Sequence, residues 1–314
     1  MDVEVGRSDD MRKSPACILL ALATASSSTQ EGGDGGGQAV IDAPEATELF
    51  SEVVTVPMSH ASGHIALEAW VNGEGPFQFM LDTGAGGHGR IGGKLVEKLG
   101  LEKIDDVQFT DGSGNHVRQG SMVRVDSLLI GDVAFEGLKM LHADVPGMSG
   151  PGQGSTNIVG FPVFKDLLLT IDYPKSEIRM TRGELPKDRA GVIAYDSTRN
   201  IPVVEIAVGD RVLDARLDTG NGGDMLLSQS IAESLPVLGE PSLLGKSRSM
   251  AAEFEIWQIR LKDPFQFAGF TQEKPMARFA STFRGANIGR NQLKPYALTF
   301  DQKHDRLLVE RPAD

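Results

Sequence analysis

Asp-Thr-Gly occurs twice in the chain, at Asp82-Thr83-Gly84 and at Asp218-Thr219-Gly220, 136 positions apart (218 − 82 = 136). Each copy closes an apolar run and follows the same residue, Leu81 in one case and Leu217 in the other. A single Asp-Thr-Gly reads as a tight surface turn, because Asp and Gly both favour turns. A matched pair points to chemistry. Two carboxyls held close cannot both ionise easily, so they share a proton and their apparent pKa values separate. One can then act as a base toward a bound water and the other as an acid toward a carbonyl oxygen. Thr suits the second position because its hydroxyl can bond across to a facing segment. Gly suits the third because its backbone turns freely and its amide can approach a carboxylate closely.

The same stretch carries a rival signal. Gly84-Ala85-Gly86-Gly87-His88-Gly89 spells G-x-G-x-x-G after an apolar strand, the opening of a dinucleotide-binding unit. Asp105 and Asp106 fall near the acidic position such a unit requires. Three features oppose that reading. A phosphate-binding turn does not call for Asp-Thr before its first Gly. The second copy, "DTGNGGDM", keeps Asp-Thr-Gly but has Met225 in place of the last Gly. No succession of helix and strand follows to build a parallel sheet. No nicotinamide, flavin or other cofactor is therefore expected.

The elements that must position the two carboxyls also repeat. "HIALEAWVNGEGPFQFMLDTG" and "NIPVVEIAVGDRVLDARLDTG" each read as an apolar strand, a turn at Gly73 or Gly209, and a second strand ending in Leu-Asp-Thr-Gly. Downstream, Ile158-Val159-Gly160 is matched by Asn287-Ile288-Gly289, and Asp172 and Asp301 each lie 12 positions beyond those glycines. A polar turn and a final apolar strand follow each Asp. "GGKLVEKLGL" and "SQSIAESLPVL" read as one short helix at matching places, and the remainder is strand and turn. The chain therefore reads as all-β, with residues 51–182 and 192–312 as two similar lobes and 183–191 as the linker.

At these residues the sequence resembles the retropepsin/pepsin superfamily of aspartic peptidases in its two-lobed single-chain form. Within it, the chain looks closest to bacterial exported aspartyl protease-like proteins. The resemblance covers roughly residues 51–312. It implies two β-barrel lobes related by a pseudo-twofold axis, with few short helices. It implies Asp82 and Asp218 as the catalytic pair, supported by Thr83, Gly84, Thr219 and Gly220. Gly160 and Gly289 would support the two catalytic loops from beneath. The turn "TDGSGN", containing Thr110, Asp111 and Gly112, is the candidate flap, and "LLGKSRSMAAE" its counterpart in the second lobe. The substrate implied is a peptide or polypeptide bound in extended form by a monomeric pseudo-dimer. Two residues depart from the family pattern. Asn221 follows the second Asp-Thr-Gly where Ala, Ser or Thr is usual, and Asn287 replaces an apolar residue. These departures keep open a second reading, a peptide-binding module without turnover.

Composition narrows the field. The formal charge is −12 and the isoelectric point about 5.0, which opposes nucleic acid as a partner. Cys17 is the single cysteine, so neither an internal disulfide nor a cysteine zinc site is expected. His60 and His64 form no metal motif, and no metal is expected. Residues 1–25 read as an export signal starting from Met11, with Arg12 and Lys13, an apolar stretch and Ala23-Thr24-Ala25. A periplasmic or extracellular location follows from that reading. Residues 26–50 read as a flexible tether, and no apolar run is long enough to span a bilayer.

Overall fold

In the computed structural model the described residues are 25–26, 43–61, 64–110, 117–143, 157–248 and 253–311. Among them, strands form three sheets of ten, six and nine strands, joined by three short helices and one short 3-10 turn. The all-β expectation holds.

Each Asp-Thr-Gly sits at the end of a hairpin. Strand His64–Val71 pairs antiparallel with Glu74–Asp82, and Val203–Val208 pairs antiparallel with Arg211–Asp218. Both hairpins turn at a glycine with positive φ, +82° at Gly73 and +58° at Gly209. Only glycine takes such angles without penalty. The second strand of each hairpin begins exposed and ends buried. The hairpin thus carries its terminal Asp from solvent into the core.

The two Gly motifs run beside these Asp ends. Ile158–Gly160 lies parallel to Met80–Asp82, with Gly160 opposite Asp82. Ala286–Gly289 lies parallel to Ala215–Asp218, with Gly289 opposite Asp218. The loop that follows each Asp-Thr-Gly passes directly over its glycine. A Cβ on Gly160 would stand 2.0 Å from the Gly87 carbonyl oxygen, and one on Gly289 would stand 2.5 Å from that of Gly223. Equivalent backbone bonds stitch loop to strand in both halves. Phe161 N donates to Ala85 O (3.1 Å) and Arg290 N to Asn221 O (2.8 Å).

The final hairpin of each half does not return to its own sheet. Strands Leu168–Asp172 and Ala297–Asp301 pair antiparallel with each other at the centre of the six-stranded sheet. Their register maps onto itself when the strands are exchanged. Leu168 faces Asp301, Thr170 faces Thr299 and Asp172 faces Ala297. Thr170 and Thr299 share a buried hydroxyl–hydroxyl bond of 2.9 Å. Both strands are almost wholly buried, and a single apolar core runs through both halves.

The stretch 26–50, read as a tether, includes a strand. Ala46–Leu49 is a strand paired with Val133–Glu136, and Glu45 ion-pairs with Arg124. A polar edge strand is held by backbone bonds, which leave no mark on composition. Residues 183–191 contain an anchor: Leu185 is buried, its amide donates to Asp301 Oδ2 (2.9 Å), and its carbonyl accepts from Arg306.

The close approach beneath the first loop is testable. Gly160→Ala should destabilise the chain by about 3 kcal/mol or more in denaturant unfolding, since the methyl group meets backbone rather than a movable side chain.

Candidate active site

Thr83 and Thr219 join the two Asp-Thr-Gly loops. Thr83 N donates to Thr219 Oγ1 (3.0 Å) and Thr219 N donates to Thr83 Oγ1 (3.1 Å). Each hydroxyl in turn donates across to the opposite strand, Thr83 to Leu217 O (2.7 Å) and Thr219 to Leu81 O (2.8 Å). Both residues are fully buried. Every donor and acceptor in this exchange finds its partner in the other half.

The same loops bring the carboxyls together. A Cβ on Gly84 would lie 2.7 Å from Asp218 Cγ, and one on Gly220 would lie 2.6 Å from Asp82 Cγ. Each carboxyl therefore packs on the glycine of the other half, and no larger residue fits at either place. Asp82 is 0% exposed and Asp218 2% exposed. Asp82 Oδ1 accepts from Gly84 N (2.8 Å), while Oδ2 finds no donor among the described residues. Asp218 Oδ1 accepts from Asn221 N (3.0 Å) and Oδ2 from Asn287 Nδ2 (2.5 Å).

Burial pushes the Asp82 carboxyl well above the ordinary carboxylate range, and the facing Asp218 pushes it further. The Gly84 and Gly220 amides oppose the shift. Burial also raises Asp218, but the Asn287 amide, the Arg216 charge and the Asn221 amide work against it. The two carboxyls thus sit in unlike surroundings, which separates their titrations.

Several buried groups around the pair carried no sequence signal. Arg90, on the short strand Gly89–Ile91, is lowered to about 10 by burial, with the Asp82 charge pulling the other way. His64 is held below its ordinary range, first by burial and then by Arg290, against the Gly220 backbone. Asn221 and Asn287 were visible as departures, but nothing in either residue alone showed that they bond to each other (2.9 Å). The candidate flap turn falls in sequence between the paired strands Lys103–Thr110 and Val117–Ile130. Asp111, Gly112 and the Thr110 side chain lie outside the described residues. Its proposed counterpart likewise runs between two paired strands, Ser242–Arg248 and Glu253–Arg260, and residues 249–252 lie outside the described residues.

The dinucleotide reading fails on geometry. His88 is buried and accepts the Lys139 amide on Nδ1 (2.9 Å). Gly89 lies against the Ile158 carbonyl, where its absent Cβ would stand 2.0 Å from the oxygen. The turn leads into the strand Gly89–Ile91, and the helix begins only at Gly93. Among the described residues no group of three or more His, Cys, Asp or Glu is arranged to hold a metal ion.

Residues 67–163 match the family model described as aspartyl protease. The matched span holds Asp82-Thr83-Gly84 and Ile158-Val159-Gly160, about a third of the chain, and ends before Asp218. No curated protein matches the chain. The aspartyl protease match suggests hydrolysis of peptide bonds. The second half, outside the match, brings its own Asp-Thr-Gly to the same place.

Two consequences for stability follow. Thr83→Val or Thr219→Val leaves a buried amide and a buried carbonyl without partners and should cost about 2–4 kcal/mol in denaturant unfolding. The double variant should lose less than the sum, because both hydroxyls serve one junction. The second consequence concerns pH. A carboxyl whose folded pKa is raised gives its full stability below the unfolded value near 4 and loses it as pH climbs toward the folded value. Asp82→Asn should therefore raise the melting temperature at pH 7, with the gain vanishing by about pH 4.

Proposed function

We propose that the chain is an aspartic endopeptidase in which Asp82 and Asp218 together activate a water molecule. The reading rests on one observation above all: each carboxyl is buried against the glycine of the opposite Asp-Thr-Gly. In that setting one proton serves two carboxyls, and water can be deprotonated by one while the other protonates the scissile carbonyl. An extended polypeptide would lie between the two halves, pairing its backbone with strand edges. Residues 51–182 and 192–312 would be the two lobes of a monomeric pseudo-dimer. The self-mapping register at Thr170 and Thr299 and the exchange at Thr83 and Thr219 support a pseudo-twofold relation between them. From its N-terminal sequence, the chain would act outside the cytoplasm. No helix among the described residues is long and apolar enough to cross a membrane.

A second reading has its own support. Both carboxyls are shielded from solvent, and Asn221 and Asn287 depart from the family pattern. A peptide-binding module that retains the fold without turnover would share these features.

Incubation with an unfolded polypeptide from acid to neutral pH separates the two. The wild type should cleave, while Asp82→Asn and Asp218→Asn should each lose at least about a thousandfold in kcat/KM, the scale on which a water-activating group is removed. Equal cleavage by all three would sink the paired-carboxyl mechanism. Cleavage by none, with binding retained, would favour the module.

A further inference from the structure

Among the side chains that differ between the two halves at the carboxyl pair, two are asparagines in the second half. Asn221 stands where the first half has Ala85, and Asn287 where it has Ile158. Both asparagines are buried, at 2% and 1% exposure. Their amides form one directed chain of hydrogen bonds. It starts at Gly223 N, which donates to Asn221 Oδ1 (2.9 Å). A backbone amide can only donate, so this contact fixes which end of Asn221 is oxygen. Asn221 Nδ2 then donates to Asp224 O (3.3 Å) and to Asn287 Oδ1 (2.9 Å). With its oxygen engaged, Asn287 presents Nδ2 to Asp218 Oδ2. The other Asp218 oxygen accepts the Asn221 amide.

Both oxygens of Asp218 are thus acceptors. Protonating either oxygen would weaken a hydrogen bond it already accepts, from Asn287 Nδ2 at Oδ2 or from the Asn221 backbone amide at Oδ1, so both contacts favour the ionised form. Reversing the chain fails at Gly223, whose amide cannot accept. Asp82 is held in this way on Oδ1 alone, by the Gly84 amide: Ala85 and Ile158 offer no polar side chain, and Oδ2 meets no donor among the described residues.

We propose that Asn287, oriented by Asn221, is a positioning residue that keeps the shared proton on Asp82 and leaves Asp218 as the ionised base. The proposal deepens the peptidase reading and rests on it. The water oxygen bonds to the carbonyl carbon, its proton passes to Asp218, and Asp82 protonates the carbonyl oxygen. The resulting gem-diol then collapses. Asp218 gives its proton to the amide nitrogen, the carbon–nitrogen bond breaks, and one diol hydroxyl returns a proton to Asp82. The starting protonation is restored.

Other charged and titratable groups face the pair. Arg216 lies on the Asp218 strand and Arg90 on Gly89–Ile91, which pairs with Ile158–Gly160; the charges of Asp218 and Arg290 act on Tyr173, and that of Arg290 on His64; Asp224, whose carbonyl accepts from Asn221, ion-pairs with Arg278. All remain in the variants below, so a change between variant and wild type belongs to the asparagines.

The test uses the full chain with ¹³C-labelled aspartate, following the Asp82 and Asp218 carboxyl resonances with pH, beside the pH profile of kcat/KM on a peptide. In the wild type Asp218 should titrate below Asp82; the reverse order overturns the proposal without any variant. Asn221→Ala/Asn287→Ile copies the first half and removes both buried amides together. It should raise the Asp218 titration and the acid limb of the profile by about one pH unit or more, as loss of donors to the ionised form requires. Asn221→Ala alone should move both in the same direction by less. A folded double variant with both values unchanged overturns the proposal. If the wild type cleaves nothing but the Asp218 titration still moves, the peptidase reading falls and the proton placement stands.

Discussion

Thr83 and Thr219 exchange hydrogen bonds between two halves of the chain, each hydroxyl accepting the other's backbone amide and donating to a carbonyl of the opposite strand. Four hydrogen bonds satisfy two hydroxyls, two amides and two carbonyls there, each with a partner in the other half. Neither loop can shift alone without leaving a buried amide or carbonyl unpaired, at about 1–3 kcal/mol each. This junction sets the distance between Asp82 and Asp218. It also explains the glycines, since a loop held this close to the facing carboxyl leaves no room for a Cβ.

The six-stranded sheet secures the same relation from another direction. Its central strands, one from each half, meet in a register that maps onto itself, with a threonine pair at the middle. The two contacts join halves that share one large apolar cluster. Rigidity has an electrostatic consequence. The carboxyls cannot move apart to relieve their repulsion, and burial denies them water, so both rise in pKa and become unequal through their neighbours. The raised Asp82 carboxyl therefore costs stability at neutral pH.

Much of this was legible in the sequence because it depends on backbone demands that only certain residues meet. Asp-Thr-Gly states the need for a hydroxyl and a bare backbone at fixed places, and its recurrence after Leu81 and Leu217 gave both hairpins. Gly160 and Gly289 were legible for the same reason. The shared sheet was not. Leu168–Asp172 and Ala297–Asp301 are visible as apolar strands, but burial on both faces does not name the partner strand. Ala46–Leu49 was read as tether because backbone pairing at a sheet edge leaves no compositional trace. Asn221 and Asn287 looked like separate defects. Asn221 Nδ2 donates to Asn287 Oδ1, and a single sequence does not show that residues 221 and 287 touch. Arg90 and His64 owe their importance wholly to where folding buries them.

The central claim is that Asp82 and Asp218, from opposite halves, titrate as one unit. The most direct measurement is the effect of Asp218→Asn on the titration of the Asp82 carboxyl, followed by its ¹³C resonance in the folded chain. Loss of the facing charge should lower the Asp82 pKa while leaving it above the ordinary carboxylate range, because burial persists. An Asp82 titration unchanged by the substitution, or one already near 4 in the wild type, would contradict the claim.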